Sequence, residues 1–161
     1  MNIGGLIYES LADGSGVRTV VFISGCEHMC EGCHNQQLLD FNYGIPFTKT
    51  LQHHVIDYMK RNPLISGLTI SGGDPMYSCA ELIGFLKDVK EQLPDFSIWL
   101  YTGFVFEDIK DNPIIKYIDV LVDGVYQKDR LCGRFVGSDN QRVINIRETL
   151  EENKIILWKG D

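Results

Sequence analysis

Residues 17–35 read VRTVVFISGCEHMCEGCHN. The first seven, VRTVVFI, are β-branched and almost continuously apolar, the pattern of a strand covered on both faces, as in a parallel sheet. Three cysteines follow at once, Cys26, Cys30 and Cys33, spaced C-x3-C-x2-C. Gly25 and Gly32 let the loop turn tightly enough to bring the sulfurs together. A buried strand that ends in three crowded thiols makes the fold and the chemistry one question.

Working outward, the same alternation recurs. A helix is expected over about residues 48–60, with Thr48 as its cap and Leu51, Val55, Tyr58 and Met59 near one face. GLTIS at 67–71 reads as a strand, and GGDP after it as a turn. SCAELIGFLKDVKEQL, beginning at Ser78, carries Leu82, Phe85, Leu86, Val89 and Leu93 at helical period, and Ser78 with Glu81 fits a capping box. FSIWLYT at 96–102 and IDVLVDG at 118–124 are strands, with at most a short helix, FEDIKDNP, between them. QRVINI at 141–146 and KIILW at 154–158 read as late strands.

Strands alternating with helices predict an α/β fold with a mostly parallel sheet. A complete eight-unit barrel needs about 250 residues, and the chain has 161. The expectation is a single domain over residues 1–161, a partial, open (βα) barrel or curved sheet. In such folds ligands sit beyond the C-terminal ends of the strands. The cysteine loop, SGGD, YTG and Asp123 all follow strands, so four strand ends point to one rim.

Composition narrows the function. The formal net charge is −7, which does not suit a nucleic-acid backbone, and no run of Lys and Arg predicts a basic patch. The N-terminal MNIGGLIYESLADGSG lacks the basic and apolar regions of a signal peptide, and no apolar run has membrane-spanning length. The expected location is the cytoplasm, where thiols stay reduced and ligand or catalytic roles outrank disulfides. Five cysteines, with Cys79 and Cys132 remote from the other three, do not make a disulfide framework.

Several readings fit the thiols. A structural zinc needs four ligands, and His28 or His34 could complete a Cys3His set. A redox dithiol would use Cys30 and Cys33 and leave Cys26 idle. A [4Fe–4S] cluster is usually held by four cysteines; three on one loop would leave one iron open to a substrate or cofactor. Buried thiols placed by chance are the remaining reading. Asp74, in GGDP, and Asp123, in VDG, each have a plain reading as a turn residue.

The loop CEHMCEGCHN resembles the cluster loop of the radical S-adenosylmethionine (SAM) enzymes, and DGSGVRTVVFISGC resembles the start of the glycyl-radical-enzyme activases among them. With TISGGDP, WLYTG, LVDG and GSDNQRVI in the same order, the chain is most similar to activases of anaerobic ribonucleoside-triphosphate reductase. The resemblance implies that Cys26, Cys30 and Cys33 bind three irons of a [4Fe–4S] cluster and that SAM chelates the fourth. It implies that Gly72, Gly73 and Asp74 meet the methionyl amine and that Thr102 and Asp123 face SAM. Many radical SAM enzymes carry an aromatic residue where this chain has Gly32, which leaves His34 as the candidate for the adenine. The pyruvate formate-lyase activase has a cation-binding aspartate where this chain has Tyr101, so that cation site does not carry over.

The implied activity is reductive cleavage of SAM to a 5′-deoxyadenosyl radical. That radical takes a hydrogen from a glycine in the large anaerobic ribonucleoside-triphosphate reductase subunit. A flavodoxin- or ferredoxin-type protein is the implied electron donor. Asp13, Gly14, Arg18, Asn140, Gln141 and Arg142 are implied to matter for the active site or partner contact. The rival readings are a small radical SAM enzyme acting on a purine-like molecule and a zinc-stabilised α/β binding module.

Overall fold

The computed structural model describes residues 1–160. Its strands are β1 (Asn2–Ser10), β2 (Val17–Ile23), β3 (Ile45–Pro46), β4 (Ile65–Gly72), β5 (Ser97–Tyr101), β6 (Val120–Asp123) and β7 (Arg142–Asn145). Its α-helices are α1 (Lys49–Arg61), α2 (Cys79–Gln92), α3 (Phe106–Ile109) and α4 (Ile146–Glu152). The strands form one sheet in the order β3-β1-β2-β4-β5-β6-β7. The centre, β2-β4-β5-β6, is parallel. β1 and β3 on one side and β7 on the other run antiparallel to their neighbours. The result is a mixed α/β sheet with a parallel heart, which puts the C-terminal ends of four adjacent strands along one rim.

The pleat sorts the side chains onto two faces. Val21, Ile23, Leu68, Ile70, Ile98, Leu100 and Leu121 pack under Val55, Ile56 and Met59 of α1 and Leu82, Phe85, Leu86 and Val89 of α2. α1 begins where expected, with the Thr48 hydroxyl accepting from the Leu51 amide. The capping box at Ser78 does not form, and Ser78 makes no side-chain cap bond. A 3-10 turn, Pro75–Ser78, already leads into α2, and the Asp74 carboxylate caps that turn through the Met76 amide.

The opposite face carries a smaller cluster of Trp99, Val120 and Val122, covered by Phe135, Val136, Val143 and Trp158. Trp158 and Phe135 stack edge-on against Trp99, with ring centroids 5.1 and 5.2 Å away. The expected strand at 154–158 is reduced to a bridge between Leu157 and Ile144, yet it delivers Trp158 to this face. Three elements lay outside the sequence expectation, among them the two-residue β3. β1 hides behind a glycine pair, and α4 follows β7 with only its Asn145 cap to mark it.

Arg18 is wholly buried on this second face. Its guanidinium crosses two strands, donating to Thr69 Oγ1 at 2.8 Å, to the Leu68 and Ser97 carbonyls at 2.7 Å each, and to Ser15 O and Ser97 Oγ. It also lies over the Trp99 ring. A buried guanidinium is tolerable only with its donors satisfied, and Gly67, its register partner on β4, makes that route open. A Cβ on Gly67 would sit 2.7 Å from both terminal guanidinium nitrogens and 2.3 Å from the Ser97 carbonyl oxygen.

Gly67→Ala is therefore expected to destabilise the fold by about 2–3 kcal/mol, the cost of overpacking combined with displaced hydrogen bonds. Urea unfolding of the metal-free protein checks this. A midpoint equal to the parent's contradicts the crossing role given to Arg18.

Candidate active site

The cysteine loop begins where β2 runs out. Gly25 turns it with a φ of +105°, and a Cβ there would strike the Phe41 ring at 2.2 Å, so both backbone and space call for glycine. The loop is pinned to its surroundings by backbone bonds: Gly25 N to Leu38 O at 2.7 Å and Asp74 N to Gly25 O at 2.8 Å. Asn35 closes the far end, its side-chain amide donating to the Gly72 carbonyl at 2.9 Å. Gly72 itself has a φ of +113° and lies so close to β2 that a Cβ would meet Ile23 O at 2.4 Å.

These contacts bring Cys26, Cys30 and Cys33 to a cavity of about 160 Å³ whose wall also includes His28, His34, Gly72, Gly73 and Thr102. Asn35, Tyr101, Gly103, Gly124, Tyr126, Gly137 and Gln141 complete it. A wider groove of about 650 Å³ shares Cys33, His34 and Asn35 and extends along Gly4–Ile7 of β1. The site thus opens sideways. Gly103 and Gly124 close the YTG and LVDG stretches; Tyr126, on irregular chain after β6, has no pattern that marks it from sequence.

Two aspartates stand behind this wall and do not line it. Asp74 is fully buried. Its Oδ2 accepts from His28 Nε2 at 2.6 Å, Thr102 Oγ1 at 2.9 Å and Gly103 N at 2.9 Å, and its Oδ1 accepts from Met76 N at 2.9 Å. Asp123 is likewise buried. It accepts from the Phe106 amide at 2.7 Å, at the start of α3, and from the Arg142 guanidinium through Nε at 2.9 Å. Thr102 does border the cavity, with its hydroxyl turned to Asp74. His34 packs on Tyr126, ring centroids 4.8 Å apart.

The donor set fits an iron–sulfur cluster. All three cysteines are free. Burial, followed by the negative fields of Asp74, Cys30 and Cys33, pushes the Cys26 thiol up to about 11. Thiolates packed this way need a strongly positive partner to ionise, which an iron centre supplies. Among the described residues no three His, Cys, Asp or Glu side chains close around a point that could hold a single ion. The sulfurs border a shared cavity instead, the arrangement a cubane asks for, since each thiolate binds a different iron. The Cys3His zinc reading needs a histidine and the three sulfurs around one point, and no such group forms among the described residues; His28 Nε2 bonds Asp74, and His34 packs on Tyr126.

Residues 12–144 match the family model of a 4Fe-4S single cluster domain. The chain is 37% identical over 164 residues to the anaerobic ribonucleoside-triphosphate reductase-activating protein of Enterobacteria phage T4, with all of both chains covered. The chain belongs to this family of activating proteins. It is also 36% identical to the Pasteurella multocida activating protein, over 81% of this chain and 89% of that one. The Escherichia coli K12 activating protein is 30% identical, over 85% of this chain and 94% of its own length. None of the helices is long and apolar enough to cross a membrane, among the described residues.

Arg142 links Asp123 to Glu107 on α3, donating to both Glu107 oxygens at 3.0 and 2.7 Å. The guanidinium holds the Glu107 carboxyl at about 2, well below its ordinary 4.5. A carboxyl with a depressed folded pKa stabilises the fold above its ordinary pKa and loses that contribution as pH falls toward 2. Glu107 is largely exposed, so solvent screening keeps the energy small. The Arg142→Ala variant is expected to raise the Glu107 pKa toward its ordinary 4.5, its own backbone hydrogen bond still holding it somewhat low, read by carboxyl carbon chemical shifts against pH. An unmoved titration contradicts the pairing.

Proposed function

We propose that this activating protein binds a [4Fe–4S] cluster through Cys26, Cys30 and Cys33 and SAM beside it, and that its product is a glycyl radical on the large subunit of anaerobic ribonucleoside-triphosphate reductase. The observation that carries the reading is the donor count at the cavity. Three free thiols border it, while Cys79, at the start of α2, and Cys132, on an exposed turn, do not. Three thiolates would leave one iron open for SAM. Cluster and SAM, when bound there, would supply reductive S–C5′ cleavage and the hydrogen abstraction from a glycine Cα of the partner.

The chain's own residues bind and orient. Gly72 and Gly73 present backbone on the cavity wall without side chains to fill it. The Gly72 carbonyl is already aimed by Asn35, so the strand end faces an ammonium group in a fixed direction. His34 and Tyr126 offer a paired ring surface for a purine. Gln141 holds the far wall, donating to the Gly124 carbonyl at 2.8 Å and accepting from Gly137 N at 2.8 Å. Asp74 and Asp123 act from behind this wall. In place of direct contact with SAM, Asp74 fixes Thr102 and Gly103, and Asp123 fixes Arg142 and α3.

The sheet, whose end strands β3 and β7 do not pair with each other, serves as a partial (βα) barrel. The groove along β1 gives the partner's glycine loop a sideways path to the site. The partner would then complete the enclosure that radical chemistry requires. A flavodoxin- or ferredoxin-type protein supplies the electron, and the setting is the cytoplasm.

Replacing Cys26, Cys30 or Cys33 by Ala is expected to lower bound iron and SAM cleavage together, each by more than about tenfold, because one corner of the cluster would lose its only protein ligand. Iron analysis and methionine release in oxygen-free samples check this; three fully active variants contradict the assignment. With the reduced parent protein, SAM and the reductase, electron paramagnetic resonance should show a glycyl doublet. SAM cleavage without that signal contradicts the partner.

A further inference from the structure

His28 sits between Cys26 and Cys30 and borders the same cavity, with one ring nitrogen committed to a buried carboxylate. Its Nε2 lies 2.6 Å from Asp74 Oδ2. Asp74 already accepts from Thr102, Gly103 and Met76, and a carboxylate has nothing to donate, so His28 is the donor through Nε2–H. The ring is held in place by Phe104 at 4.6 Å and Tyr77 at 5.8 Å between centroids. Gly103 makes room for it: a Cβ there would stand 2.5 Å from the His28 ring. The loop after β2, the turn after β4 and the end of β5 therefore meet at one buried carboxylate.

We infer that His28 is a positioning residue, a strut that fixes the three-cysteine loop against the Gly72–Gly73 and Thr102–Gly103 walls through Asp74. The inference rests on the reading that cluster and SAM occupy this cavity. SAM must touch the cluster on one side and these walls on the other, so the distance between loop and walls sets its affinity. Removing the strut frees the loop without removing a ligand to iron. Glutamine, whose Nε2 can also donate at the end of a side chain of comparable reach, should replace it.

The test uses the anaerobically reconstituted protein as His28→Ala, His28→Gln, Asp74→Asn and the His28→Ala/Asp74→Asn double variant. SAM affinity is read from the change SAM makes in the resonance spectrum of the reduced cluster, and iron is counted in each sample. Amide hydrogen exchange over residues 24–35 and 102–104 is measured on the metal-free forms. His28→Ala is expected to keep its iron, to bind SAM at least about tenfold more weakly and to exchange faster over both segments, as loss of a bond to a charged group dictates. His28→Gln should return to within about threefold of the parent, and His28→Ala should add less than about twofold to Asp74→Asn, the non-additivity of a shared bond. Parental affinity and exchange in His28→Ala, failure of glutamine to restore either, or fully multiplying effects with Asp74→Asn would each overturn the strut. If His28→Ala loses iron, the metal-free exchange decides: faster exchange restored by glutamine supports the strut, and unchanged exchange rejects it. A parent protein that holds iron but gives no SAM response rejects the underlying functional reading, while the exchange comparison still judges the strut.

Discussion

A carboxylate sealed from water must collect its hydrogen bonds from the protein, and Asp74 collects them from three strand ends at once. Thr102 and Gly103 come from β5, Met76 from the turn after β4, and His28 from the loop after β2. An unsatisfied buried carboxylate costs several kcal/mol, so these partners are bound to one geometry. The cavity wall inherits that geometry. The three cysteines are on a loop whose position is set twice, by the backbone bond from Asp74 N to Gly25 O and by the His28 side chain.

The two faces of the sheet divide the labour. One face is sealed by α1 and α2 and holds most of the apolar core. The other holds Arg18, Trp99 and the covering residues Phe135 and Trp158. That packing closes the far end of the second face and leaves the C-terminal rim for chemistry. Asp123 and Arg142 perform at β6 and β7 what Asp74 performs at β4 and β5: a buried acid ties a strand end to the next element. The rim is thus built from charged groups that face inward into the fold, while glycines, rings and thiols face the cavity.

Much of this was legible in the sequence. β-branched runs marked the parallel strands, and the helical period placed α1 and α2 within a residue or two. The spacing of the cysteines named the centre. Other features were not legible for physical reasons. β1 opens with Gly4 and Gly5, which weaken any strand pattern. Ser78 carries a capping signal, but the turn before it is organised by Asp74, so the signal is spent on nothing. A sequence shows the carboxylates of Asp74 and Asp123 at strand ends but not the donors that surround them. His28 looked like a spare zinc ligand because its partner lies 46 residues away. Tyr126 sits on an irregular segment after β6 whose path no local period encodes.

The account turns on a cluster with one iron free of protein thiolate. Mössbauer spectroscopy of protein reconstituted with iron-57 addresses this directly. In a 4Fe-4S cluster held by Cys26, Cys30 and Cys33, adding SAM should shift the signal of one iron site in four and leave the other three unchanged. A spectrum with all sites alike and indifferent to SAM, or a protein that takes up zinc in place of iron, would contradict it.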